Sequence, residues 1–189
     1  MKLNDLRDVP RIETERLVLR GWREDDLDGG FAAMMADAEV ARFLTGDQRA
    51  TSRAEAWRDM ALFVGHWALR GYGLFAVEEK GSGAFVGRVG PWQPECWVGF
   101  ELGWGLRREF WGKGYAFEAA RAAGDWVFAN FALDDIVSLI HASNTPSQKL
   151  AERLGMRVRA TTLHAGMPHD IWEITRDDWA RTNQPRAMA

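Results

Sequence analysis

The 189-residue chain has one cysteine, Cys96, so no internal disulfide can form and no oxidising compartment is required. It contains no run of about 18 apolar residues, the length at which a helix spans a bilayer. Residues 1–10, MKLNDLRDVP, lack the apolar segment of a secretory signal. The expectation is a cytoplasmic protein with no membrane partner. Neither sign of charge dominates: 24 Lys and Arg stand against 27 Asp and Glu, and the net −3 gives no general affinity for nucleic acid. Repeats, low-complexity tracts and linker-like stretches are absent, and only TNQPRAMA at the end reads as a loose tail. One domain over 1–189 is expected, with a core from about 11 to 179, a tail over 180–189 and room for one ligand cleft. Whether it forms a homodimer stays open.

What the chain has in quantity is tryptophan, ten residues that can fill a core or line a cleft. Trp57, Trp67 and Trp126 fall at core spacings; Trp22, Trp92 and Trp97 fall near strand ends, where a pocket could be lined. Apolar periodicity predicts strands over 11–22, 72–79, 84–92, 97–106, 136–142, 157–163 and 170–175. Helices are predicted over 24–36, 52–70, 115–130 and 146–154. In the second, Ser52 and Glu55 have capping-box spacing and Trp57, Met60, Val64 and Trp67 repeat on one face. The order describes an α/β (α+β) domain with a mixed, mostly antiparallel sheet of about seven strands and about four helices.

Chemistry concentrates around WVGFELGWGLRREFWGKGYAF, residues 97–117. Alternation puts Val98, Phe100, Leu102, Trp104 and Leu106 on one face of a strand and Trp97, Gly99, Glu101, Gly103 and Gly105 on the other. Three glycines around one glutamate predict close approach of a ligand or another backbone. The strand runs into Gly112 and Gly114 and then into a helix, so amides at the helix start can converge on an anion, with Arg107, Arg108 and Lys113 adding positive charge. A Walker loop is excluded by the spacing. A dinucleotide fingerprint fits poorly, since its third glycine would fall at Phe117 and Asp134 and Asp135 precede the next strand. Further on, Thr145, Pro146 and Gln148 read as cap, first turn and third position of a helix that Gly155 closes, with Asn144 at the junction.

FELGWGL, EFWGKGYAFEA and NTPSQKLAERLGM, with an opening ETERLVLR and a closing WEITRDDW, resemble the GNAT acyltransferases, and within them the RimJ/RimL-type branch, over about residues 11–179. The resemblance implies acetyl-CoA as acyl donor, no metal, and an amine acceptor. It places the pyrophosphate on the loop backbone and the pantetheine arm along the glycine-bearing strand, which makes Trp104, Leu106, Arg107, Arg108, Trp111, Gly112, Lys113, Gly114, Tyr115 and Ala116 the donor-binding residues. Glu109 departs from the superfamily pattern, which has Gln or Arg at that position. Asn144 is implied to contact the pantetheine and Ser147 to lie near the thiol sulfur.

Because a thioester is already activated, an amine can attack it directly once neutral. Glu101, the only acid on the bare face, is the candidate base, provided burial raises its pKa. The acceptor expected is a peptide N-terminus, with small amines (polyamines, amino acids, antibiotics) as alternatives, and a catalytically silent acyl-CoA-binding module as another. His141 reads as packing, His164 and His169 show no metal pattern, Cys96 has no identifiable partner base, and the acidic run Glu24, Asp25, Asp26 and Asp28 reads as serving a helix dipole.

Overall fold

The alternating stretches assemble into one eight-stranded sheet in the computed structural model, which describes residues 4–5 and 8–182. The strands are β1 (Ile12–Glu13), β2 (Leu17–Arg20), β3 (Phe75–Glu79), β4 (Phe85–Trp92), β5 (Glu101–Leu106), β6 (Asp135–His141), β7 (Arg157–His164) and β8 (Met167–Thr175). Their order across the sheet is β1-β2-β3-β4-β5-β6-β8-β7. Every neighbouring pair is antiparallel except β5 with β6. The helices are α1 (Ala32–Ala36), α2 (Ala38–Ala41), α3 (Arg53–Arg70), α4 (Tyr115–Asn130), α5 (Thr145–Arg153) and α6 (Arg176–Thr182). The part of the expected tail from 183 on lies outside the described residues, while 180–182 belong to α6.

Several expectations change in detail. The predicted strand 11–22 is two strands, because Thr14 and Leu17 close a reversal through a Thr14 N–H to Leu17 O bond of 3.0 Å and a Leu17 N–H to Thr14 Oγ1 bond of 2.9 Å. The predicted helix 24–36 survives as α only over Ala32–Ala36, after two irregular turns that break at Gly30, φ 151°, where a β-carbon would stand 2.8 Å from Arg107 Nη1. A further short helix, α2, starts where the Asp37 side chain accepts from Glu39 N–H. The strand predicted from 97 begins at Glu101.

In α3 the Ser52–Glu55 capping box forms and Gly71, φ 76°, ends the helix. Its buried face is Ala56, Met60, Phe63 and Trp67: Met60 and Trp67 are buried as predicted, while Ala56 and Phe63 take the places expected for Trp57 and Val64. Trp57 is therefore not packing: it is 53% exposed. Two registers one residue apart both carry the i, i+3, i+4 spacing here, and tertiary contact selects between them.

The sheet is covered on both faces. On one side α4 lays Ala119, Ala120, Ala123 and Val127 against Leu102, Leu106, Val89 and Ile136. On the other, α1 to α3 pack Phe31, Met34, Met60 and Phe63 over Leu74, Ala76 and Phe85. Three buried alanines and Gly124 let α4 approach closely, and the buried Trp179 of α6 fills the space at Gly124, where a β-carbon would fall 2.3 Å from its ring.

The acidic run after β2 has a different task from the one its position suggested. Buried Asp26 takes both ends of the Arg20 guanidinium at 2.7 and 2.8 Å, and Glu78 takes Arg20 Nε at 2.8 Å. Asp28 instead pairs in solvent with Arg53. Removing one partner of a buried pair strands the other, so Asp26→Ala is expected to cost about 3 kcal/mol or more of stability in urea denaturation, whereas Asp28→Ala, at a solvent-exposed pair, should leave the denaturation midpoint nearly unchanged. Equal losses would refute this division of labour.

Candidate active site

β5 and β6 touch at one register pair, Glu101 opposite Val137, where Val137 N–H donates to Phe100 O at 3.0 Å. A parallel ladder would next run from Leu139 N–H to Leu102 O. It does not. Leu139 N–H instead donates to Glu101 Oε1 at 3.3 Å, and Leu102 O accepts from the buried Ser138 hydroxyl at 2.7 Å. Beyond this point the two strands part, and a wedge opens within the sheet. Arg107 N–H donates to Val86 O, so the alternation of an antiparallel ladder turns the amides of 101, 103 and 105 toward β4 and those of Trp104 and Leu106 into the wedge. The wedge is the heart of a cleft of about 860 Å³.

Glu101 sits at its apex. The carboxylate is buried, receives Trp97 Nε1–H at 2.5 Å, and is pushed up to about 7 mainly by loss of water, against the pull of its Trp97 and Leu139 donors and of Arg88. At neutral pH such a group exists in both protonation states and can accept and release a proton.

The loop after β5 forms the far wall. Gly112 and Gly114 have φ of 73° and 80°, the left-handed region that other residues enter only with strain. Space is not the reason at Gly112, where a β-carbon would meet nothing within 4 Å. Glu118 N–H is the first amide of the α4 start to find a backbone acceptor, Gly114 O, so the amides from Gly112 to Phe117 are left for another partner. Gly112, Gly114, Tyr115, Ala116 and Trp111 all line the cleft.

The opposite wall is the start of α5. Its cap is Asn144, not Thr145 as its spacing suggested: Asn144 Oδ1 accepts from Ser147 N–H at 3.3 Å, and Pro146 follows in the first turn. Ser147 Oγ accepts Trp104 Nε1–H at 3.1 Å, a contact that spans the wedge from β5 to α5. Asn144 and Ser147 both line the cleft.

Of the residues singled out from sequence, Glu101, Trp104, Leu106, Trp111, Gly112, Gly114, Tyr115, Ala116, Asn144 and Ser147 converge here. Arg107, Arg108 and Lys113 lie outside the lining. Arg107 pairs with Glu109 at 2.5 Å and Arg108 with Asp37 at 2.9 Å, and Lys113 Nζ stands over the Phe110 ring. Arg42 and Arg88 line the cleft, and beside α5 the positive charge comes from Lys149 and from Arg153, stacked 3.8 Å from the Phe117 centroid. Lys149 and Arg153 lie inside NTPSQKLAERLGM, one helical turn apart, which is the signal that could have found them.

The glycines of β5 behave unequally. Leu44 and Met34 occupy the space at Gly105 and Val137 that at Gly99, so side chains make the close approach there. Trp92 and Trp97 line the cleft together with Arg88 of β4 and with Asp59 and Phe63 of α3, none of the last three flagged by motif. Trp22 is not in the lining and donates to Leu74 O. His141, His164 and His169 meet edge to face near the mouth, at ring distances of 5.1 and 5.4 Å. Among the described residues no three His, Cys, Asp or Glu side chains are grouped to hold a metal ion, and no helix is long and apolar enough to cross a membrane.

Comparison with known proteins agrees with this geometry. The family model described as Acetyltransferase (GNAT) domain matches residues 16–157. An uncharacterized protein of Bacillus subtilis (strain 168), YkkB, is 31% identical over 169 residues, covering 86% of this chain and 94% of its own. The crystal structure of the acetyltransferase from Agrobacterium tumefaciens str. C58 superposes with a TM-score of 0.78 at 25% identity, covering 89% of this chain and 96% of its own. The fold is shared as well by RimL, a ribosomal L7/L12 α-N-protein acetyltransferase solved with coenzyme A, at a TM-score of 0.73, 15% identity and coverage of 89% and 99%. An open wedge in a mixed sheet, a glycine loop feeding a helix and a family match across three quarters of the sequence lead to one assignment: the chain belongs to the GNAT family of acetyltransferases.

Proposed function

We propose that the protein is an acetyl-CoA-dependent N-acetyltransferase in which a primary amine attacks the thioester directly, with a peptide or protein N-terminal α-amine as the favoured acceptor. The observation that carries this reading is the wedge itself: an interior strand edge with the Trp104 and Leu106 amides facing the gap, ending at a buried carboxylate that titrates near 7. An extended amide-bearing arm fits such an edge, because it can take up hydrogen bonds that β6 does not make. The free amides at the start of α4, with Lys149 and Arg153 across the cleft, suit its phosphates.

Each residue then has a task. Gly112 and Gly114 hold the loop in the conformation that presents its amides. Trp104 fixes Ser147, whose hydroxyl is free to donate toward a departing sulfur. Glu101 takes the proton of the incoming ammonium, directly or through one water, so that the nitrogen lone pair is available when it meets the acyl carbon. A carboxylate near 7 is suited to an α-amine of pKa about 8 and is a poorer match to a lysine amine of about 10.4. That match favours N-termini.

Four outcomes are expected. Glu101→Gln should lower kcat by about 10²–10⁴ with CoA affinity unchanged. In the wild type, kcat/KM should rise as pH rises through about 7, since the raised carboxylate is protonated and idle below it; the variant should lose that limb while keeping the one due to the amine. Near-normal turnover with a slow acceptor would return Glu101 to its ladder-capping role alone. Gly112→Val should weaken CoA binding by calorimetry through left-handed strain in the loop, more than Asn144→Ala does, and unchanged affinity in a folded variant would remove the loop from the binding site. Finally, mass spectrometry after incubation with acetyl-CoA should find acetyl groups on free N-termini and not on lysines of N-terminally blocked peptides. Acetylation of small amines alone would overturn the acceptor, and binding of CoA without any turnover would make the chain a silent acyl-CoA module.

A further inference from the structure

The face that β4 and β5 turn toward α3 is nearly bare. Arg88 stands opposite Gly105, Gly90 opposite Gly103 and Trp92 opposite Glu101, so of these six positions only Arg88, Trp92 and Glu101 carry side chains. Leu44 and Met34 fill the space over Gly105. Gly103 lines the cleft, and a β-carbon there would meet Glu101 Oε1 and Leu74 Cδ2 only at ordinary contact distance, 3.7 Å. Phe63 of α3 and Trp92 meet edge to face, 5.4 Å between centroids, and wall this floor. Arg88 is at one end and Glu101 at the other, and both line the same cleft.

Arg88 is the anomaly. The other sequestered guanidiniums of the fold are fully engaged: Arg20 with Asp26 and Glu78, and Arg176 with the carbonyls of Leu133, Phe128 and Phe131 at 2.9, 2.7 and 2.6 Å. Arg88 makes no hydrogen bond or ion pair among the described residues, and its Nε is shut off from solvent without a partner. Its guanidinium rests 5.2 Å from the Phe63 ring centroid and feels Asp59 and Glu101 only at longer range. A half-buried guanidinium whose Nε lies out of reach of water without a partner is best met by something planar and anionic at its fork. A diamine would bring a second cation against it; a carboxylate matches it in charge and shape.

We infer that the acceptor amine carries a carboxylate, which Arg88 receives while the amine stands at Glu101 above Gly103. This deepens the proposed acetyl transfer and rests on it. The carboxylate has two sources: the side chain of an acidic N-terminal residue in a peptide, or the main-chain carboxyl of a free amino acid. Arg88 then selects the acceptor without touching the reacting atoms.

Calorimetry with CoA bound, a dead-end complex that needs no turnover, tests this. One pair of probes is an amidated tripeptide beginning with glutamate against the same peptide beginning with glutamine; the other is free alanine against alaninamide, with 1,5-diaminopentane as an anion-free control. In one pair the carboxylate-bearing member should bind at least about tenfold more tightly, and Arg88→Gln should reduce the difference to within about twofold at unchanged CoA affinity. Arg88→Lys, which keeps charge but not the fork, should fall between, and serves if the glutamine variant does not fold. Asp59→Asn should leave the preference in place. Equal binding within both pairs, tighter binding of the diamine, absence of saturable binding by either carboxylate-bearing probe, or a preference that survives loss of Arg88 would overturn the assignment. A preferred carboxylate that binds but is never acetylated by acetyl-CoA would instead sink the transferase reading and leave the Arg88 subsite standing.

Discussion

The structure turns on the parting of β5 and β6. Two parallel strands inside a sheet normally pair along their whole length, since a buried amide or carbonyl without a partner costs about as much as a lost hydrogen bond. Here they meet only at Glu101 and Val137. Two side chains close the end of the ladder in place of backbone: Glu101 accepts the Leu139 amide, and Ser138 donates to the Leu102 carbonyl. The same glutamate that terminates the ladder therefore stands at the apex of the space its termination creates. Placement of the acid and opening of the cleft are one event.

That coupling explains the electrostatics. A carboxylate used to end a ladder must lie inside the sheet, and burial there disfavours its charge. The Trp97 indole and the Leu139 amide restore part of what water would supply, enough to leave the group divided between its two states near neutrality. The tryptophans divide similarly between tasks. Trp67 and Trp179 are buried packing, whereas Trp92, Trp97, Trp104 and Trp111 line the cleft, and all four spend their indole N–H or ring on neighbouring groups there: Trp97 on Glu101, Trp104 on Ser147, Trp111 on the Leu106 carbonyl, Trp92 against Phe63.

Much of this was legible from local chemistry. Gly112 and Gly114 marked the loop between β5 and α4, and both take left-handed φ values there. The capping box at Ser52 and Glu55 marked the start of α3, and the alternation around Glu101 picked the correct faces of β5. What the chain could not reveal depended on contacts far apart in sequence. Which of two adjacent helical faces α3 buries is settled by Leu74 and Phe85, so Trp57 and Ala56 exchanged roles. Arg107 and Arg108 looked like phosphate ligands because their neighbours Glu109 and Asp37 gave no sign of capturing them. Arg88 and Asp59 lie on a regular strand and a regular helix with no motif around them, and only the sheet register brings Arg88 to the floor that Glu101 ends.

The bond between Trp104 and Ser147 has a directional consequence. An indole nitrogen can only donate, so it commits one lone pair of the serine oxygen and leaves the hydroxyl hydrogen to point elsewhere. A hydroxyl is by itself ambivalent, able to give or to receive. Here the neighbouring ring removes much of that ambivalence and biases the group toward giving. The wedge thus has polarity as well as shape: a buried carboxylate at the glutamate end, and at the serine end a hydroxyl whose hydrogen is turned away from the indole that holds it.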